Sequence, residues 1–449
     1  MRDNRVVVRL GLLYIGFSIL GSLCSFGYAT QGLLAGIIWL SIILLKVALL
    51  GTIRLEVRPS EFTVLVFLDL GLYLYPSLRL AVGYERLLLE QYVYLGVVGL
   101  VAGVALFLTS QVFRRVGKEV KLDHHVGFSD GKLIGAFLLV ICAGFFASII
   151  SYYLGISLLG REASVQLPYK LNGILLYYRK FSVSFLCILI LALIFAKQRK
   201  FSWLLLFFYF VWVVVEIYVK QSKGWIFVAS LPLLYFALSN GFLRWRHVIG
   251  LTVCLAGYIS VYPLLVVIRD ASIAGYSLID SGQYVLSHRF RTMGIGDYFF
   301  HFYSRVFGDS SKLLNIQYAF DATYFFNNFA VVNLYKNPAY FYTRYILEVP
   351  LGVVFSAGST GVFGGMIVFG LLGVAGTVSL VGLFAAWIDR KFVRSSHRLD
   401  IFSPALSSFV FLFMMQGFWQ WIFDRETVFV IIFHVVIILY LNSKLRVIR

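Results

Sequence analysis

Residues 133–157 read LIGAFLLVICAGFFASIISYYLGIS, twenty-five consecutive positions without a charged side chain. At a rise of 1.5 Å per residue, about 20 apolar residues in an α-helix cross the ~30 Å hydrocarbon layer of a bilayer. Inside that layer every backbone N–H and C=O must be satisfied within the protein, which restricts the chain to helices or a closed barrel. A continuous apolar run of this length predicts a transmembrane helix over 132–157.

The same pattern recurs outward in both directions. Towards the N-terminus the apolar runs 6–27, 32–50, 63–82 and 91–113 predict four more spans, and 174–196, 201–219, 225–243 and 247–268 follow. After a long polar interval come 361–388, 401–422 and 427–442. The expectation is an all-α polytopic membrane protein of about 12 transmembrane helices. Residues 1–268 form a first membrane domain of nine helices with a small outer loop at 158–173. Residues 269–360 form a large outer loop between helices 9 and 10, and 361–449 a second membrane domain of three helices. Composition agrees: 60% of the residues are hydrophobic and only 13% charged, with a mean hydropathy of +0.86. A water-exposed globular surface needs roughly twice that share of charge, about 25%.

Lys and Arg in short loops are retained on the cytoplasmic side, so their distribution predicts orientation. One side carries twenty-one, among them Arg54, Arg58, Arg114, Arg115, Lys197, Arg199, Arg390 and Arg394; the short loops opposite carry six, including Arg86, Arg161 and Lys170. Both termini are expected in the cytoplasm, and 269–360 outside. The net charge of +18 is largely this asymmetry and calls for no nucleic-acid partner. The basic start followed by an apolar run reads as an uncleaved first span, because no small-residue cleavage site precedes the second run.

Cys24, Cys142, Cys187 and Cys254 all fall within predicted spans and read as packing residues rather than disulfide partners. No CxxC or HExxH pattern is present, and His124 and His125 lack companion ligands in their loop, so no metal is expected. No GxxxxGK[ST] loop cradles nucleotide phosphates, and no cofactor is expected. Buried charges are costly in a membrane and invite a functional reading. Within the predicted spans these are Lys46, Asp69, Arg79, Arg179, Glu216 and His434. A proton-coupled carrier would use such groups.

The chemistry is expected in 269–360. Arg269, His288, Arg289, Arg291, His301, Arg305, Lys312, Lys336 and Arg344 place cations near the membrane surface, against the positive-inside trend. Guanidinium groups bind phosphate oxygens in a fixed fork and stay charged in low dielectric. Two readings of these arginines stand side by side: a phosphate-bearing ligand, or pairing with Asp280, Asp297, Asp309 and Asp321 and with lipid headgroups. Between the cations lie many tyrosines and phenylalanines, which anchor helices at the headgroup level and offer faces for sugar rings. DYFFHFYSRVF, Asp297 to Phe307, sets Tyr298, Phe302 and Arg305 on one face of an amphipathic helix with His301 alongside. The glycine-rich stretch EVPLGVVFSAGSTGVFGGMIVFGLLGVAG, from Glu348 to Gly376, suits close helix packing, or, over Gly358 to Gly365, a loop of anion-directed N–H groups.

Many short spans, a basic outer loop GREASVQLPYKLNG (160–173), a large outer loop containing HRFRTMGIGDYFFHFYSRVFGD (288–309) and a glycine-rich re-entry resemble the Wzy-type O-antigen or oligosaccharide repeat-unit polymerases. The arginine-to-glycine spacing of the loops, Arg161 to Gly173 and Arg269 to Gly282, is longer than that family's pattern. The resemblance implies a GT-C-like membrane glycosyltransferase of the bacterial inner membrane. It would join undecaprenyl-pyrophosphate-linked oligosaccharides at the outer face, with a chain-length regulator protein as a possible partner. Arg289, Arg291 and Arg305, then Arg161 and Arg269, are the candidates for pyrophosphate binding. His301, Asp297 and Glu348 are candidates for the base, and Tyr298, Phe302 and Tyr303 for the sugars. A flippase or exporter of the same lipid, or an O-antigen ligase-type transferase, are the alternatives.

Overall fold

In a computed structural model, the described residues are 11–16, 19–20, 23, 32–52, 59–69, 89–114, 129–156, 167–168, 171–198, 202–220, 229, 233, 249–250, 253, 257, 361–392, 432–437 and 439–440. They are helical almost throughout. In chain order the elements are α1 (Leu33–Thr52), α2 (Pro59–Asp69), α3 (Leu89–Arg114), α4 (Asp130–Tyr153), α5 (Leu171–Tyr177), a π-helical turn (Tyr178–Ser182), α6 (Val183–Gln198), α7 (Trp203–Lys220) and α8 (Gly361–Phe392).

Among the described residues, four stretches are long and apolar enough to cross a membrane: Leu33–Thr52, Val93–Val112, Asp130–Tyr153 and Val368–Trp387. Val183–Phe195 and Trp203–Ile217 are shorter apolar helices. The protein is therefore an all-helical, membrane-embedded one over the described residues. The runs read at 32–50, 91–113, 132–157 and 201–219 reappear as α1, α3, α4 and α7. Of the run 63–82 only the part within α2 lies among the described residues.

The ends of α4 follow from local chemistry. Ser129 is the N-cap, its hydroxyl accepting from Lys132 N at 3.4 Å, and Asp130 stands in the first turn, where the helix dipole favours an anion. At the other end Gly155 takes φ 64, a left-handed conformation that glycine adopts without Cβ strain. Gly155 N donates to Tyr152 O at 3.1 Å and Ile156 N to Ser151 O at 2.8 Å, which satisfies the last carbonyls and turns the chain into the 158–173 segment.

α1, α2, α3 and α8 pack together, as do α4, α5, α6 and α7 with the π-turn. Their buried side chains belong to one continuous apolar cluster. Lipid tails are as apolar as leucine, so close contact rather than water exclusion must hold these helices. Small residues supply it. A Cβ on Gly96 of α3 would meet Ile38 Cγ2 of α1 at 2.7 Å, and one on Gly103, two turns later, would meet Leu45 Cδ2 at 2.5 Å. Gly144 of α4 lies against Val183 and Trp212, where a Cβ would stand 3.1 Å from the indole Nε1.

Of the loop expected over Gly358 to Gly365, the part before Gly361 lies outside the described residues, and the rest is helix. α8 already begins at Gly361, so Gly361, Gly364 and Gly365 are helical. The irregularity lies further on, at Phe369 (φ −134, ψ 17) and Gly370 (φ 59, ψ −142), where α8 kinks. That backbone region is essentially reserved for glycine.

Candidate functional site

α4, the π-turn and α7 converge at one end of their bundle, the end from which the 158–173 segment leaves α4. Arg179, second residue of the π-turn, and Glu216, in the last turns of α7, are both fully buried. Arg179 Nε donates to Glu216 Oε1 at 2.8 Å and Nη2 to Oε2 at 3.2 Å, a two-pronged ion pair. Ser148 of α4 brings its hydroxyl to the same Oε1. The Ser148 hydroxyl also lies 2.8 Å from Gly144 O.

The fork geometry explains why arginine stands here. A guanidinium presents parallel N–H groups that match two carboxylate oxygens and keeps its charge in low dielectric, where a lysine ammonium readily loses its proton. The pair sums to zero charge, and Ser148 adds a donor to the oxygen that already accepts from Nε. Chemically the arrangement is a closed clamp rather than an open anion site, because the described surroundings leave neither charged group exposed.

The π-turn is held by two further contacts. Tyr178 OH donates to Val140 O of α4 at 3.3 Å. Ser182 Oγ lies 3.1 Å from His434 Nε2, and the His434 ring sits 4.4 Å from that of Phe185 at the start of α6. α7 is anchored in turn by Tyr209, whose hydroxyl donates to Ala229 O at 2.8 Å.

No family model, curated protein or solved structure matches this chain.

Of the charged residues read within the spans, three meet at or beside the π-turn: Arg179, Glu216 and His434. Lys46 is elsewhere, buried on α1 beside Ile42, Leu45 and Leu49, with Leu65 and Leu68 of α2 and Gly103 of α3 nearby. Asp69 ends α2, and Arg79 lies outside the described residues. The candidate binding and catalytic residues Arg161, Arg269, Arg289, Arg291, Arg305, His301, Asp297, Glu348, Tyr298, Phe302 and Tyr303 all lie outside the described residues too. So do Cys24 and Cys254. Cys187 is buried and Cys142 exposed, both as free thiols.

Sequence reasoning named Arg179 and Glu216 but did not pair them, and it missed Ser148. A signal for the pair was present. Arg179 lies shortly after the start of one apolar run and Glu216 shortly before the end of the next. Consecutive antiparallel spans put those two positions at the same depth.

Proposed function

We propose that this chain polymerises lipid-pyrophosphate-linked oligosaccharide repeat units at the outer face of a bacterial inner membrane. The observation that carries the reading is the 269–360 segment, where arginines and aromatic residues alternate between membrane-spanning runs. It is supported by the all-helical, membrane-embedded character of the described residues. The proposed topology has twelve spans with both termini cytoplasmic and the 158–173 and 269–360 segments on the periplasmic side.

In this reading the acceptor hydroxyl of an incoming repeat unit attacks the anomeric carbon of the growing glycan. The bond from that carbon to the phosphate oxygen breaks, and undecaprenyl pyrophosphate leaves with the electron pair. Arg289, Arg291 and Arg305, with Arg161 and Arg269, neutralise the charge that develops on the leaving pyrophosphate. His301, Asp297 or Glu348 takes the acceptor proton. The sugar–phosphate bond itself supplies the driving force, so the step needs no nucleotide. Tyr298, Phe302 and Tyr303 provide faces for the sugar rings.

A second reading, a flippase or exporter of the same lipid-linked oligosaccharide, is favoured by one feature: ionisable groups in the membrane part, Lys46, Glu216 and His434, of the kind that proton-coupled carriers use. Reconstitution separates the two. The purified chain in liposomes, given the cognate undecaprenyl-pyrophosphate-linked repeat unit and no nucleotide, is expected to yield a ladder spaced by one repeat, with undecaprenyl pyrophosphate released. Unchanged substrate that moves between leaflets would establish the flippase instead.

A further inference from the structure

The helical stretch 171–198 contains a five-residue π-turn, and nothing in its composition asks for one. Leu and Ile dominate the residues after it, and a continuous α-helix satisfies the same backbone groups with better geometry. π-turns are rare and occur mostly as single bulges at functional positions. Something outside the local sequence must therefore specify this one.

Three of the five residues in the turn are held from outside it, each by a different segment. Tyr178 reaches α4 through Val140 O. Arg179 reaches α7 through Glu216, with Ser148 of α4 on the same carboxylate. Ser182 reaches His434 in the helical residues 432–437. The ionic contact is the most demanding of the three, because turning either group away would separate two opposite charges inside a fully buried site. Replacing a buried ion pair by apolar groups of similar volume is often neutral for stability, so its distinctive contribution is to select one geometry.

We infer that Arg179 and Glu216 are a positioning pair that holds the π-turn open and thereby sets the rotation of α5 about its axis. A π-turn accommodates one residue more than an α-turn, so α5 stands about 100° away from where a continuous helix would carry it. Among the described side chains of α5, Leu171 and Ile174 are exposed, at 39% and 59%, whereas Asn172 and Leu175 are half-buried. If the turn closes to α-helix, each place on α5 is taken by the next residue. Exposure then passes from Leu171 and Ile174 to Asn172 and Leu175. Asn172 Oδ1 accepts from Leu167 N at 3.2 Å, so the chain immediately before α5 moves with it. This register statement is independent of the polymerase reading. Only its consequence, that the pair aims the basic 158–173 segment at a pyrophosphate, rests on that reading.

The test is spin-label accessibility to oxygen and to a water-soluble relaxant, with single cysteines at 174 or 175 in the full chain in lipid. In the native background the label at 174 is the exposed one. In R179M/E216L, which removes both charges together, the exposed position is expected to shift to 175. An unchanged pattern in this variant would overturn the proposal. Y178F/S182A removes the uncharged anchors and keeps the ion pair, and its pattern is expected to stay native. A shift to 175 there would assign the register to those hydrogen bonds and would equally overturn it, so the proposal remains testable if R179M/E216L does not fold. Polymer formation measured on the same samples then addresses the catalytic reading separately: a shifted label with undiminished polymer refutes the link to the reaction and leaves the register assignment standing.

Discussion

Gly382 of α8 lies directly over Thr109 of α3: a Cβ on the glycine would meet Thr109 Oγ1 at 2.7 Å and Leu106 Cδ1 at 3.1 Å. Thr109 is held there, since its hydroxyl donates to Leu106 O at 2.8 Å. The contact joins two helices that are each long and apolar enough to cross the membrane, and its tightness replaces the hydrophobic force that lipid does not provide.

Gly382→Leu is accordingly expected to push α8 off α3, with an overpacking cost of about 1–3 kcal/mol. Thermal unfolding of the purified variant in detergent measures it. A midpoint equal to that of the native protein would show that the two helices are not held by this contact.

Glu216→Ala leaves the Arg179 guanidinium buried without its carboxylate. Breaking a buried ion pair from one side costs about 3–5 kcal/mol, far more than losing a neutral hydrogen bond at about 1 kcal/mol. Folded yield should therefore fall steeply in Glu216→Ala and only modestly in Ser148→Ala. Comparable yields for the two, measured by size-exclusion chromatography in detergent, would contradict the ranking.

At the kink in α8, Gly370→Ala puts a Cβ on a residue at φ 59, ψ −142. The strain is of order 1–3 kcal/mol. The variant should either unfold at lower temperature or straighten α8, and distance measurements between labels on the two halves of the helix distinguish these outcomes.

Arg289→Ala and Arg305→Ala are expected to abolish polymer while the protein remains inserted at native levels, because a leaving pyrophosphate without cationic partners departs slowly. Arg161→Ala and Arg269→Ala should weaken activity less. Full polymer length in both of the first two variants, seen on a gel of the lipid-linked product, would remove them from the site.

Alkaline phosphatase fused after a residue within 269–360 should be active, and the same reporter fused within 114–121 inactive. The reverse pattern would invert the orientation read from the basic residues.

Much of the fold over the described residues could be read from hydropathy alone. The runs 91–113 and 132–157 end near the bounds of α3 and α4 because charged or turn-forming residues interrupt them abruptly: Arg114 and Arg115 after one, Ser129 and Asp130 before the other. The π-turn was not legible, since Tyr178 to Ser182 has ordinary helical composition and the residues its side chains meet, Val140, Glu216 and His434, are distant in sequence. The kink at Gly370 was hidden among many glycines for the opposite reason: composition marked all of them, and only the backbone angles single one out. For the candidate site, the individual charges Arg179, Glu216 and His434 stood out as anomalies in apolar runs. Their pairing is a property of how helices face one another, which no single run encodes. The arginines and aromatics of 269–360 stand on sequence reasoning, outside the described residues.

Ser148 has one hydroxyl proton and two acceptors within reach, Gly144 O and Glu216 Oε1. It can serve only one of them at a time. While the carboxylate is an anion the proton goes to it, and the Gly144 carbonyl relies on its helical N–H alone. Were Glu216 to acquire a proton, the hydroxyl would accept from it and turn its own hydrogen to the carbonyl. The stretching frequency of a ¹³C-labelled Gly144 carbonyl would then report, from inside the membrane, on the charge carried by a side chain in another helix.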